Sequence, residues 1–306
     1  MYCAFVAYTK YKAKKSNLLP NTSILRNKMK KSQIRKFITI VVALLSFGVF
    51  QSAFAKGYRP TEDSNLQVIP SQAQEKKDWS ASIGFGTLLK PKYEGSSKYE
   101  MMPVPFFDIK YKDLLSINPF RGLRLNTIHT KKITAGIGVR PNFGRKENDA
   151  DILNGLGDID PSAEGLLFAS YKHNSFSTSI TCAQGLNSSG HDGFTAKLSA
   201  SYFKRFHKYK LIMIPSISTL FANTKYMSSF FGIDPNQSNN SGLNQFEARS
   251  GLKDISASLA TSYDLTGKWS LNGLITGKRL IGDSAKSPIV KKKNAFSLAF
   301  YAGYNF

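Results

Sequence analysis

From residue 79 onward, segment after segment alternates apolar residues with small or polar ones at a period of two, and nothing else in the chain limits its fold as strongly. Trp79, Ala81, Ile83, Phe85, Thr87 and Leu89 alternate with Ser80, Ser82, Gly84, Gly86 and Leu88. Ile133, Ala135, Ile137, Val139, Pro141 and Phe143 alternate with Thr134, Gly136, Gly138, Arg140 and Asn142. The segments 194–202, 269–276 and 296–306 repeat the pattern, the last with Phe296, Leu298, Phe300, Ala302, Tyr304 and Phe306 at every second position. Runs of roughly 10–13 residues exceed the 5–6 common in soluble sheets and suit tilted strands crossing a hydrocarbon layer. The second face is rich in Ser, Gly, Thr and Asn, which fits a wet lumen and argues against a soluble sandwich. The expected fold is all-β, a transmembrane antiparallel up-and-down β-barrel.

Twelve strands are predicted, near 79–89, 103–111, 114–119, 121–129, 133–143, 162–172, 174–184, 193–204, 208–221, 253–264, 267–279 and 294–306. Connections near 112–113, 130–132, 173, 205–207 and 265–266 are tight, as periplasmic turns should be. Those near 90–102, 144–161, 185–192, 222–252 and 280–293 are long, as outer loops should be. The break at Asn118-Pro119-Phe120-Arg121-Gly122 is accepted partly because both termini must share one side; ten strands is the alternative. Trp79, Tyr171, Tyr202, Tyr209, Tyr263, Trp269 and Tyr304 fall near the short turns, and Phe143, Phe194 and Phe221 near the long loops, as two interfacial girdles would.

A leader precedes the barrel. Met29 opens a basic stretch (Lys30, Lys31, Arg35, Lys36), then an apolar run from Phe37 to Phe50 and Ala53-Phe54-Ala55. This reads as a signal peptide over 29–55, cleaved after Ala55; the run is short for a spanning helix, the competing reading. Residues 1–28 read as an upstream extension of a chain that starts at Met29, and 56–78 as a flexible periplasmic lead-in. Residues 1–55 hold 10 of the 42 basic residues and none of the 20 acidic ones, so the remainder carries +12 rather than +22. These charges are scattered singly, without the basic helix or aromatic–basic cluster of a nucleic-acid binder. Outer-membrane lipid and lipopolysaccharide are the expected surroundings, and no nucleic acid is expected as a partner. Cys182 is the one cysteine after Ala55, so neither an internal disulfide nor a thiolate metal site is expected.

Four stretches resemble the MltA-interacting protein family (MipA/OmpV). They are Pro91-Lys92-Tyr93-Glu94-Gly95-Ser96; Gly155-Leu156-Gly157-Asp158-Ile159-Asp160; Phe230-Phe231-Gly232-Ile233 with Gln237-Ser238 and Ser241-Gly242-Leu243; and Gly282-Asp283 with Ser287-Pro288-Ile289-Val290. They occur in order across about residues 79–306. Phe230 and Phe231 depart from the family's frequent Tyr, and Gln237 from its frequent Glu. The resemblance implies an outer-membrane protein that holds a lytic transglycosylase and a murein synthase together, or, for other members, a porin-like protein or surface antigen. It also implies that the closing strand, with Tyr304 and Phe306, carries the signature read by the outer-membrane assembly machinery. The expected topology puts all four motifs outside, so a scaffold would have to work through residues 56–78 and the short turns.

Little points to chemistry. Glu147, Asp149, Asp151, Asp158, Asp160 and Glu164 could offer oxygens to Ca²⁺, but their spacing is not that of an EF-hand, and solvated loop charge is the plainer reading. Ser188-Ser189-Gly190-His191-Asp192-Gly193 is the most suggestive stretch for a hydrolase, yet nothing in the sequence supplies an orienting third residue. No catalytic residue, cofactor or metal is therefore assigned. Arg140, Glu164, Lys172, Lys197, Lys210 and Lys278 are expected in the lumen. There they would either favour anions in an open channel or pair with one another and fill the barrel.

Overall fold

Side-chain parity decides the architecture. The computed structural model describes residues 78–187 and 190–306; the expected leader, almost all of the lead-in, and Ser188 and Ser189 lie outside them. The strands are β1 (Trp79–Pro91), β2 (Tyr99–Tyr111), β3 (Leu115–Asn118), β4 (Gly122–His129), β5 (Ile133–Asn142), β6 (Ser162–His173), β7 (Phe176–Gly185), β8 (Phe194–Tyr202), β9 (Lys204–Phe206), β10 (Leu211–Ala222), β11 (Gly251–Asp264), β12 (Trp269–Leu280) and β13 (Asn294–Asn305). Each pairs antiparallel with its sequence neighbour, β13 closes on β1, and β10 pairs with β11. Because β8 and β9 both lie along β10, β9 continues β8 past Phe203, giving the twelve staves expected. Closure leaves no edge except where a stave is cut short.

The outward rows are Ile, Leu, Phe and Tyr, and they stay bare: Phe85 is 60 % exposed, Leu167 64 %, Ile217 64 % and Phe300 53 %. A continuous apolar band of this size would not persist in water; it is the surface a bilayer covers. Most staves have 10–14 residues, roughly 25–30 Å at a tilt near 45°. Among the described residues, no helix is long and apolar enough to cross a membrane.

The aromatic girdle is strongest at the short-turn end. There Trp79 packs on Tyr111, Trp269 on Tyr304, Tyr304 on Phe306 and Phe176 on Tyr202, with ring centroids 4.6–5.1 Å apart. At the other end the stacked pair is Tyr99 and Phe296, neither of which belongs to the girdles expected from sequence. Strand 2 begins at Tyr99 rather than near residue 103, shortening the first outer loop. The turn expected at 205–207 lies instead over His207–Lys210, where Lys210 takes a left-handed conformation (φ 49°).

One hairpin is short. β3 and β4 turn at Pro119–Arg121, well below the outer rim, because Asn118 Oδ1 accepts from the backbone N–H groups of Phe120 and Arg121 and Gly122 adopts a left-handed φ of 71°. Strand β2 pairs with β3 only over Ile109–Tyr111. Pro103 and Pro105 fall in the stretch of β2 above that pairing, where a strand edge tolerates residues without an N–H.

Candidate functional site: the outer cap and the barrel interior

The long loops form a second core. Tyr93, Leu153, Leu156, Ala222, Tyr226, Met227, Phe231, Ile233, Ala248, Leu280 and Ile289 bury one another at the outer end of the barrel. Loop 223–250 builds most of it with helices α1 (Thr224–Phe231) and α2 (Pro235–Ser241). The side chain of Asn223 caps α1 by accepting from Tyr226 N–H; Asp234 and Gln237 form a capping box on α2, Pro235 takes the first turn, and left-handed Gly242 ends it. These start and stop signals stand in the sequence, within a stretch that strand periodicity marks only as a long outer loop.

All four motif stretches meet in this cap. Tyr93 Oη donates to Ile289 O (2.9 Å), and Ser287 Oγ to Phe231 O (2.6 Å). Gly95 O accepts from the N–H groups of Lys291 and Lys292; a Cβ at Gly95 would stand 2.7 Å from Val290, and φ there is +96°. Gly157 N–H and Gly155 N–H both donate to Glu147, whose own N–H is bound by Asp158. Lys146 bridges Asp158 (2.7 Å) and Asp160 (2.9 Å). Gly232 ends α1, and Ser241 Oγ donates to Gln237 O. Asp283 accepts from Arg249 N–H and pairs with Lys286; both lower its carboxyl below the usual range. Pro288 is half-buried beside Ile289.

Gln237, in the third of these stretches, does two things here. Its Oε1 accepts from Asp234 N–H, and its Nε2 donates to Leu156 O at 2.7 Å. A glutamate could do the first and not the second. That bond, with the contact between Gly155 and Asn240 and the bond from Arg145 to Phe230 O (2.9 Å), joins loop 143–161 to loop 223–250. These loops leave the wall four staves apart, so their junction reaches across the mouth.

Two clusters of opposite charge lie beneath the cap. Glu94 lies between Lys253 (2.7 Å) and Lys278 (2.9 Å), and Lys253, wholly buried, also faces Asp254 and the Tyr226 ring. Burial pushes the Glu94 carboxyl up, but the two ammonium groups outweigh it and hold it far below its ordinary range. Arg140 pairs with Glu164, which also accepts from Asn142 and bonds His191. Gly193 N–H donates to His191 Nδ1, so in the neutral ring Nε2 carries the hydrogen toward Glu164. Both ring nitrogens are thus engaged, and His191 packs edge-on to Tyr226 and Phe230.

Of the six charges expected in the lumen, Arg140, Glu164 and Lys278 are there as ion pairs, and Lys197 stands half-buried on the inward row beside Thr181 and Leu220. Lys172 shares the inward parity but sits at the exposed short-turn end, and Lys210 lies in the turn itself. Tyr304 and Phe306 lie at that same end of the closing strand. Glu94, Lys253, Arg121 and Arg124 are interior charges outside the expected set. Arg124 was legible, since it lies on the inward parity of β4. Glu147, Asp149, Asp158 and Asp160 make bonds within their own loop and Asp151 pairs with Lys98, and no described group of three His, Cys, Asp or Glu could hold a metal.

The sequence profile of the MltA-interacting protein MipA matches residues 83–306. The chain belongs to this family. It is an outer-membrane β-barrel of the MipA family, with the family's motif stretches gathered into one cap. No curated protein sequence matches it. Among solved structures it is similar to an outer membrane channel from Pseudomonas putida F1 (12 % identity, 78 % of this chain and 100 % of that one, TM-score 0.41) and to the outer membrane protein OprD from Pseudomonas aeruginosa (11 %, 81 % and 73 %, TM-score 0.34).

Proposed function

We propose that this barrel is a non-catalytic tether that engages peptidoglycan-remodelling enzymes, a lytic transglycosylase and a murein synthase, through its periplasmic rim. The observation that carries the reading is the contrast in charge between its two ends. Under the cap the buried carboxylates are each held by basic groups, Glu94 by Lys253 and Lys278 and Glu164 by Arg140. At the short turns Lys131, Lys132, Lys172, Lys208, Lys210 and Lys268 are all exposed, facing few acids. A rim of strongly hydrated, flexible ammonium groups is poorly suited to packing and well suited to attracting an anionic partner. The test is capture of the two enzymes by the purified barrel, with Lys131→Glu/Lys132→Glu/Lys208→Glu as the comparison. Retention of both enzymes by the wild type and loss by the triple variant at unchanged heat-modifiable migration supports the tether. Equal capture by both, or none by either, refutes it.

A small anion-preferring channel is the second reading, favoured by the inward guanidinium groups of Arg121 and Arg124. Ion conductance in a planar bilayer, with anions preferred, would select it over the tether.

A further inference from the structure

The short hairpin β3–β4 carries one buried donor without a partner among the described residues, Asn118 Nδ2, and two arginines without a carboxylate partner. Arg124 is 9 % exposed and stacks on the ring of Phe168 at 4.7 Å. Its Nε reaches Arg121 O at 3.3 Å, and among the described residues no carboxylate lies within ion-pair distance of it. The guanidinium groups of Arg121 and Arg140 lie close enough to repel its charge. Arg121 makes no side-chain ion pair with a described residue either; the acid that faces it, Asp108, pairs with Lys110 at 2.9 Å. Asn118, 3 % exposed, uses its Oδ1 to form the turn and leaves Nδ2 buried with no partner among the described residues.

The registers place these groups together. Lys110, Ser116, Arg124 and Gly138 form one inward row across β2 to β5, and Asn118 and Gly122 lie in the next row toward the outside. Gly122 brings the turn against Arg140: a Cβ there would stand 2.6 Å from Arg140 Cα. The neighbourhood thus holds four cations (Lys110, Arg121, Arg124, Arg140) and two carboxylates (Asp108, Glu164). Excess buried positive charge and an orphaned amide N–H₂ ask for the same complement, an acceptor-only negative group.

We infer that the tip of this hairpin is an oxyanion site inside the barrel, with Arg121, Arg124 and Asn118 Nδ2 as its donors. Phe168 covers one face of the Arg124 guanidinium and Arg121 O takes its Nε, which leaves the two Nη groups as the edge by which arginine takes a planar carboxylate or a phosphate in two parallel bonds. Access is from the periplasmic side. Lys110, in the Arg124 row, is 31 % exposed, whereas Glu164 and His191 on the outer side are sealed at 1 % and 2 %. The site is independent of the tether and needs no through-going channel.

The mature barrel in detergent micelles is titrated with inorganic phosphate, with acetate, and with chloride at matched ionic strength. Binding is followed by thermal unfolding and by ³¹P line-broadening. Phosphate or acetate should raise the unfolding temperature above the chloride control, and whichever does so more identifies the class of oxyanion. Arg124→Gln should weaken the preferred anion roughly tenfold or more, as loss of a charge-assisted bond does. Arg124→Lys, which keeps the charge and loses the fork, should recover only part of it. If Arg124→Gln fails to refold by heat-modifiable migration, Arg121→Gln serves instead, and the wild-type ³¹P signal stands without either. No response beyond the chloride control in the wild type, or an undiminished response in the folded variants, overturns the site and means that lumen water alone solvates these arginines. Capture of the murein enzymes is unaffected by either outcome.

Discussion

The two ends of this barrel are built from the same chain by opposite means. At the outer end the loops are long, carry helices, and bury both an apolar core and matched charges. At the inner end the turns are tight, and they leave lysines in water. Loop length alone does not explain this. The outer loops hold together because each supplies a group that another lacks: Tyr93 a hydroxyl for Ile289 O, Ser287 one for Phe231 O, Gln237 an amide for Leu156 O. The inner turns are joined to their neighbours by backbone bonds that continue the sheet, as where Lys132 O accepts from Lys172 N–H, Ser175 O from Phe203 N–H and Lys268 O from Asn305 N–H, so stability there comes from the sheet and the aromatic girdle. The outer end is a folded unit resting on the barrel; the inner end is an edge of the barrel.

That difference can be broken most severely at Glu94. Glu94→Ala strips the buried Lys253 of its best partner, and removing one side of a buried pair costs about 3–5 kcal/mol. Limited proteolysis should cut loop 223–250 far faster, while heat-modifiable migration of the barrel persists; simultaneous loss of both would mean cap and barrel are one unit. Acidification acts on the same carboxyl. Its value in the folded protein lies below the ordinary 4.5, so its contribution is full above about pH 4.5 and fades as pH falls toward the lowered value. Cap protection should decline in that range, and Glu94→Gln should remove the decline.

Gly95→Ala comes next. The left-handed φ and the nearby Val290 make any Cβ unwelcome, at about 1–3 kcal/mol. Amide exchange should quicken in loops 92–98 and 281–293 together, because they share this contact. Gln237→Glu should cost about 1 kcal/mol through loss of the bond to Leu156 O, and amide exchange should rise in loop 143–161 but not in α2, whose capping box survives. At the other end, Lys131→Ala with Lys132→Ala should change unfolding by less than about 0.5 kcal/mol. A larger shift there would show that the inner rim is structural after all.

Much of this contrast was visible in the residues. Parity marked which side chains face lipid, the tight and long connections marked which end of the barrel carries the loops, and of the ten or twelve staves left open by the break at Asn118–Gly122 the structure has twelve. The motif stretches were recognisable as an ordered set, yet their meeting was not, because nothing local in Gly155 or Ser287 says what it will touch. Lys172 and Lys210 show the converse error. Parity assigned them inward, but height along the stave, which depends on where each turn closes, put them at the rim.

The sequence by itself determined the closed sheet and its inward and outward faces, because side-chain alternation is a property of neighbours one and two residues apart; the choice of twelve staves over ten came from the structure. Only the tertiary structure decided which charges match. Glu94 meets Lys253 and Lys278 across separations of 159 and 184 residues, and Arg124 finds no acid among the described residues. Pairing at that range is set by register, shear and loop closure summed around the whole barrel, none of which any single segment records.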